Sequence, residues 1–319
     1  MSLQNIPIFS AQELSQKLLQ QKISRPYFAM YSSLYGGITL DAGWMLLPID
    51  DHMVHRGDGV FEAIKIIDSR PYLLRSHLER LLQSAQRLSL KPFAELAELE
   101  GIVLATVRAS QQKNGLLRLF MSRGPGSFSV SPYDTVGTQF FVVVTALAPP
   151  PEQKYTEGVS VGRSQVLVKP SWMAQVKSCN YLPNVMMKKE AVDRSLDFVV
   201  GFDDQGFLAE SSTENIVVLS AEGDLIRPEL TNILKGTTMV RTFELAEVLL
   251  KAGQIRSIKS GNIAEEHLLK SKEVMMLGTT LDVLPVTRYE GAKIADGKVG
   301  AIAKALLELL KKDQVKALT

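Results

Sequence analysis

Apolar residues recur along this chain in two periods, and the change from one to the other marks out its elements. Over residues 10–22, Leu14, Leu18 and Leu19 fall on one face behind a capping Ser10, which predicts a short amphipathic helix in an N-terminal arm, residues 1–25. From Tyr27 to Ile49 the pattern is strand-like, with turns at Gly36-Gly37 and Asp41-Ala42-Gly43, and a third strand, Val60 to Ile67, follows the Gly57-Asp58-Gly59 bend. Two helices come next. Ser76 with Glu79 three residues on reads as a capping box that opens the first, and Leu78, Leu81, Leu82 and Ala85 form its stripe. Leu116 to Ser122 and Phe140 to Thr145 read as buried strands, joined by a loop rich in Gly and Pro that starts at Arg123.

Ala148-Pro149-Pro150-Pro151 is the sharpest break in pattern, stiff and extended, so residues 148–157 are expected to link a smaller domain, residues 26–147, to a larger one, residues 158–319. The second half alternates strand and helix. A strand starts at Val159, a helix follows Asn180, a hairpin turns across Asp203-Asp204-Gln205-Gly206, and a strand runs from Ile216 to Leu219. A helix from Thr238 to Ala252 closes at Gly253, and a strand from Glu273 to Gly278 precedes a last helix, Ile302 to Lys312. The fold class is therefore α/β or α+β in two unequal halves, with a buried sheet or pseudo-barrel in the second.

Composition narrows the chemistry. With 45% hydrophobic and 22% charged residues the chain has the balance of a globular enzyme, which excludes disorder. A net charge of +2, without runs of like charge beyond pairs such as Lys311-Lys312, argues against nucleic acid or an anionic membrane as partner. The one cysteine, Cys179, excludes an internal disulfide; with no secretory signal pattern and no membrane-length apolar stretch, a cytoplasmic setting is expected. His52 and His55 are spaced like a metal pair, yet no acidic or cysteine cluster completes a site, so no metal is expected.

Three features further along carry chemistry together. Lys177 sits at an element junction, between an apparent strand and a helix starting near Leu182-Pro183, where desolvation and a nearby cation favour a neutral amine. Glu210 follows the apolar run Phe207-Leu208-Ala209 and either enters the interior, where a carboxylate needs a cationic partner, or ends a strand in water. Gly236-Thr237-Thr238 opens a helix whose free N–H groups and hydroxyls suit an anion, although an ordinary threonine cap explains the same letters. An amine, a carboxylate and an anion cradle are what pyridoxal 5'-phosphate requires. Arg80, in the first turn of its own helix where the dipole disfavours a cation, is rationalised by a nearby anion, and Lys235 could serve likewise. Thr279-Thr280 presents hydroxyls at a strand end or merely forms a turn, and Cys179 has no histidine in its segment and reads as packing.

In this order, Lys177-Ser-Cys-Asn-Tyr-Leu-Pro-Asn, Gly206-Phe-Leu-Ala-Glu-Ser-Ser-Thr-Glu-Asn-Ile, Ile233-Leu-Lys-Gly-Thr-Thr and Gly278-Thr-Thr-Leu-Asp-Val-Leu-Pro-Val resemble the class IV aminotransferases, fold-type IV pyridoxal-phosphate enzymes. Upstream, Arg56-Gly-Asp-Gly-Val-Phe-Glu and His77-Leu-Glu-Arg80-Leu resemble the family's smaller domain. The resemblance implies a dimer in which Lys177 forms the Schiff base and transfers the proton, and Glu210 pairs with the pyridinium nitrogen. It also implies that Arg80, Gly236, Thr237, Thr238 and Thr279 hold the phosphate and that Tyr181 lies near the phenolic oxygen. Where branched-chain aminotransferases usually have Ile-Thr-Arg after the glycine, this chain has Thr237-Thr238-Met239, so that arginine's salt bridge is missing.

The pattern is most similar to plant-type D-amino-acid aminotransferases, without the Arg-Ala-His loop by which bacterial D-alanine aminotransferases hold the substrate carboxylate. Expected substrates are therefore a D-amino or branched-chain amino acid and a 2-oxo acid, with Arg56, Phe61, Arg118 and Thr280 as candidate contacts. Arg118 alternates with Leu117 and Leu119 on its strand and either faces the cavity or pairs with Glu62. The rivals are an aminodeoxychorismate lyase on the same scaffold and a non-catalytic cofactor-binding protein; Lys177 and Glu210 together disfavour the second.

Overall fold

A computed structural model describes residues 6–21 and 26–316, so the outer parts of the expected arm, residues 1–5 and 22–25, and the last three residues lie outside the described residues. Helix α1, Ala11–Gln20, is capped by Ser10, whose hydroxyl accepts from the Glu13 N–H at 3.3 Å while Glu13 accepts from the Ser10 N–H at 2.8 Å. None of its residues is buried, so this helix adds little to the core.

The first sheet contains β1 (Tyr27–Ser32), β2 (Gly37–Thr39), β3 (Gly59–Ile67), β4 (Arg70–Pro71), β5 (Gly115–Ser122) and β6 (Gln139–Thr145), in the order β2-β1-β6-β5-β3-β4. All its pairings are antiparallel, and period-two alternation sorts its side chains into two faces. Val60, Ile64, Leu117, Leu119, Phe140 and Val142 pack with two helices that follow the short α2 (His52–Arg56). These are α3 (Leu74–Arg87), with Leu78 and Leu81, and α4 (Leu96–Ser110), with Leu99 and Val103. Phe61, Arg118, Phe120, Phe141 and Val143 occupy the opposite face and line a cavity.

The second half supplies α5 (Glu152–Glu157), β7 (Val159–Arg163), α6 (Ser171–Ala174), α7 (Leu182–Asp193), β8 (Phe198–Phe202), β9 (Leu208–Ser211), β10 (Asn215–Leu219) and β11 (Asp224–Arg227). It continues with α8 (Thr237–Leu245), α9 (Glu247–Lys251), β12 (Ser257–Ser260), α10 (Glu265–Lys270), β13 (Glu273–Gly278), β14 (Asp282–Tyr289), β15 (Ala292–Lys293) and α11 (Ala301–Lys316). The strand order β10-β13-β14-β7-β8-β9 returns to β10 through an Asn215–Glu210 pairing, so six strands close into a barrel. Every residue of β10 is buried, as expected for a strand packed on both faces. Val217, Met275, Leu277 and Val283 pack on one side against Met239 and Phe243 of α8 and Leu306 and Leu310 of α11; Ile216, Val218, Met276 and Leu284 pack on the other. The result is a two-domain α+β fold.

Several local expectations need correction. The helix carrying Arg80 starts at Leu74, after Leu73 at φ 56°, and Glu79 pairs with Arg75 at 3.1 Å instead of reaching back to Ser76. Arg80 therefore sits in the second turn, and the dipole argument for it falls away. Residues 152–157 of the expected extended linker are helical, and the single helix expected over residues 238–252 is two, divided at Ala246.

Candidate active site

Lys177 is held by backbone. The segment before it is the short α6 and a turn, not the strand expected, and the chain then docks on the first sheet: Phe61 N–H donates to the Lys177 carbonyl at 2.9 Å and Cys179 N–H to the Gly59 carbonyl at 2.8 Å. The lysine is 9% exposed, and its Nζ lies 4.6 Å from the Phe61 ring centroid with no hydrogen bond or ion pair among the described residues. Burial and the neighbouring Arg80 guanidinium lower its pKa to about 8, against the pull of Glu62 and Glu210. The neutral, nucleophilic amine is thus reached at a much lower pH than in a solvated lysine.

Glu210, the third residue of β9, faces the same cavity, with Oε2 accepting the Leu234 N–H at 3.1 Å. Burial raises its pKa above the usual carboxylate range, and the Leu234 N–H, Lys169 and Lys177 offset only part of that shift. It is a carboxylate short of a cation, which a protonated pyridine nitrogen would provide.

The cavity is lined by Arg80, Lys169, Lys177, Tyr181, Glu210, Gly236, Thr237, Thr238 and Thr279 among others. Gly236 precedes α8, and no side chain caps that helix. A Cβ at Gly236 would stand 2.0 Å from Asn215 Oδ1, and Asn215 Nδ2 donates to the Leu234 carbonyl at 2.9 Å, so the loop is pinned where only glycine fits. Thr237 and Thr238 are buried, and the free N–H groups of α8 open beside them. Arg80 is fixed from behind: Nε and Nη2 each donate to Glu62 at 2.7 Å, and Nη1 donates to the Lys235 carbonyl at 2.9 Å.

Tyr181 divides this cavity from the one on the sheet. Its ring meets Phe61 edge-on at 5.0 Å, Lys169 Nζ sits 4.5 Å from its centroid, and burial with Glu210 raises its phenol pKa. Arg118 lies beyond it in the sheet cavity and has no hydrogen bond or ion pair among the described residues. Its alternative partner Glu62 is on the opposite face of the sheet, because Arg118 pairs with Ala63 in register while Glu62 is bonded to His77 and Arg80. Two other candidates are not brought in. Arg56 is exposed, its guanidinium donating to the carbonyls of His55 at 3.0 Å and Phe128 at 2.7 Å. Thr280 follows Thr279 in the β13–β14 turn but does not line either cavity. The Cys179 thiol is pushed up to about 12 by burial, in keeping with packing.

Sequence reasoning passed over Glu62, His77, Lys169 and Asn215 as parts of the site. Glu62, His77 and Asn215 stood inside the family-like motifs, which was signal enough to ask their role; Lys169 precedes Pro170 in an irregular segment and offered none.

The family model for amino-transferase class IV matches residues 59–289. A D-amino-acid transaminase, chloroplastic, from Arabidopsis thaliana is 36% identical over 312 residues, spanning 97% of this chain and 82% of the relative. Among solved structures, a T.th. branched-chain amino acid aminotransferase with pyridoxamine 5'-phosphate superposes with a TM-score of 0.83 at 23% identity, covering 90% of this chain and 94% of that one. A 4-amino-4-deoxychorismate lyase from Pseudomonas aeruginosa gives 0.75 at 21% identity, covering 89% and 98%, so likeness of fold alone does not separate transfer from lysis. The family match over most of the chain, with the Arabidopsis identity across nearly all of it, shows that this protein belongs to the class IV aminotransferases and moves an amino group with pyridoxal 5'-phosphate.

Proposed function

We propose that the amino donor is a D-amino acid and the acceptor a 2-oxo acid, and that the residues act as follows. The observation that carries the reading is a buried, unpaired Lys177 amine sharing one cavity with Glu210 and the uncapped end of α8. The preference for D-substrates rests on the 36% identity to the relative named a D-amino-acid transaminase.

The residues present fit pyridoxal phosphate: the Gly236 cradle admits no Cβ, α8 offers free N–H donors, and Glu210 lacks a cation. When bound, the cofactor supplies an aldehyde carbon and an electron-withdrawing ring. Lys177 would hold the aldehyde carbon and, once released from it by the amino donor, would carry the proton from the donor α-carbon on Nζ, for which its lowered pKa suits it. Glu210 would keep the ring nitrogen protonated, and Arg80, Thr237, Thr238 and Thr279 would hold the phosphate. Arg118 takes the substrate carboxylate, while Phe61 and Tyr181 keep water from the reacting face.

No helix among the described residues is long and apolar enough to cross a membrane. A homodimer and a cytoplasmic setting are also our inference. Exposed Leu47, Phe128, Trp172, Leu182 and Val185 supply apolar surface for a second copy, which light scattering checks.

The test is a panel of D- and L-amino acids, scored by spectral conversion of the bound cofactor to its amine form. D-amino acids are expected to convert it and L-isomers not. Conversion by L-branched-chain amino acids alone, or pyruvate release without a 2-oxo acid acceptor, would overturn the assignment.

A further inference from the structure

His77 is buried at 2% exposure on α3, between β3 and the N-terminal end of α8, and the roles assigned above leave it unused. Its Nδ1 stands 2.7 Å from Glu62 Oε2, and its Nε2 stands 3.1 Å from the Thr237 hydroxyl. Glu62 is fully buried; burial works against its charge, but Arg80 and His77 hold its pKa at about 2, so it is ionised. An ionised carboxylate only accepts, and Nδ1 must therefore carry a hydrogen.

In the neutral ring Nε2 is then a bare acceptor, and the Thr237 hydroxyl spends its one hydrogen on it. It turns only lone pairs toward the end of α8, where an anion would be repelled. A hydrogen on Nε2 reverses this: the ring donates to Oγ1, and the hydroxyl is free to donate to the anion.

We infer that His77 is a proton-holding positioning residue: a phosphate dianion at the α8 terminus draws a solvent proton onto His77 Nε2, which converts Thr237 from an acceptor into a phosphate donor. The anchor gains a positive charge and a hydrogen bond together, and the only bond formed is N–H. The inference rests on the reading of Gly236-Thr237-Thr238 as the phosphate end of the site. The charged groups facing the ring are Glu62 from β3, Arg80 from α3 itself and Lys177 from the segment after α6; α8 contributes the Thr237 hydroxyl. Without the anion, burial, Arg80 and Lys177 keep the ring neutral against Glu62. A dianion beside the two cations removes that opposition.

The experiment labels the full chain with ¹⁵N-histidine and compares it loaded with pyridoxal 5'-phosphate and with pyridoxal. His77 is one of four histidines, and its signals are assigned by their loss in His77→Gln. Nε2 is expected in its protonated range with the phosphate ester and in its bare range with pyridoxal. A bare Nε2 in the phosphate-loaded protein overturns the inference, whereas failure of the cofactor reading shows itself separately, as no Lys177-bound absorbance with either ligand. A second variant, Thr237→Val, keeps the backbone N–H and removes the hydroxyl. It is expected to weaken pyridoxal 5'-phosphate about tenfold and leave pyridoxal unchanged. Unchanged affinity for the phosphate ester, or an equal loss for both ligands, overturns the proposal.

Discussion

The two walls of the active site are built on different principles. The barrel wall, with Glu210, Gly236 and Thr237 and backed by Arg80, is fixed by directed bonds: Leu234 N–H to Glu210, Asn215 to the Leu234 carbonyl, Arg80 to Glu62 and to Lys235. The sheet wall is a face of Phe61, Phe120, Phe141 and Val143, with Arg118 as a cation that no described residue pairs. The first wall does the same work whatever amino acid arrives, so its geometry is fixed in advance. On the proposed function the second must admit a side chain and recognise a carboxylate, for which shape and one free guanidinium are suited. Mutations in the barrel wall should therefore strike every substrate alike, and mutations in the sheet wall should discriminate among them.

The largest effect belongs to the residue where the walls meet. Lys177→Ala is expected to keep the fold and bind cofactor through the phosphate, yet lose the lysine-bound absorbance and essentially all turnover. Transamination at the parent rate would refute the assignment. The same lysine gives a pH signature in the cofactor-free protein. Its folded pKa of about 8 lies below its ordinary 10.5, so between these values the unfolded chain binds more protons than the folded one. Stability should therefore rise with pH through this window, by about 3 kcal/mol at most, and the gain should be absent below pH 8. Lys177→Met should flatten the rise in chemical denaturation and stabilise the protein at pH 7.

Glu210→Gln comes next. It keeps the volume and the Leu234 contact but removes the charge proposed to hold a proton on the ring nitrogen, so single-turnover rates should fall on the order of 10²–10³ for all substrates. An unchanged rate would mean that another group supports the ring. Arg80→Ala should act on affinity more than on chemistry, weakening the cofactor by about 1.5–3 kcal/mol. Equilibrium dialysis checks it, and equal affinity would remove Arg80 from the phosphate anchor. That variant also leaves Glu62 buried beside His77 alone, so thermal stability must be recorded alongside.

The contrast between the walls also explains what could be read from sequence. Strands β3, β5 and β6 were legible to within a residue because each is a short, nearly continuous apolar run bounded by turn or loop residues. The sequence reading selected Lys177, Glu210 and Gly236-Thr237-Thr238 because each lies at or beside an element end, where turn residues leave a local mark. The helix of Arg80 was misplaced because Ser76 and Glu79 have the spacing of a capping box, while its start depends on Leu73 in a left-handed conformation that no side-chain pattern announces. Strand β14 was not anticipated, since Pro285 in its middle argues against a strand. The Glu62–His77–Thr237 chain spans three elements, and only their packing reveals it.

Arg118 gives the smallest expected effect and the one most specific to its wall. The pleat decides which way it points: it lies opposite Ala63, one residue out of step with Glu62, and so faces the cavity while Glu62 faces α3. A guanidinium held there without a partner, beside Phe61 and Tyr181, is costly unless a substrate carboxylate arrives to pair with it. Arg118→Leu removes that recognition but leaves the barrel wall untouched. It is expected to raise KM about tenfold or more for amino acid and 2-oxo acid alike, with simple amines, which carry no carboxylate, little affected. If amines lose activity in the same measure, Arg118 is structural. Exposed Arg56, at the edge of the Phe128 loop, would then have to reach the substrate by a movement of that loop.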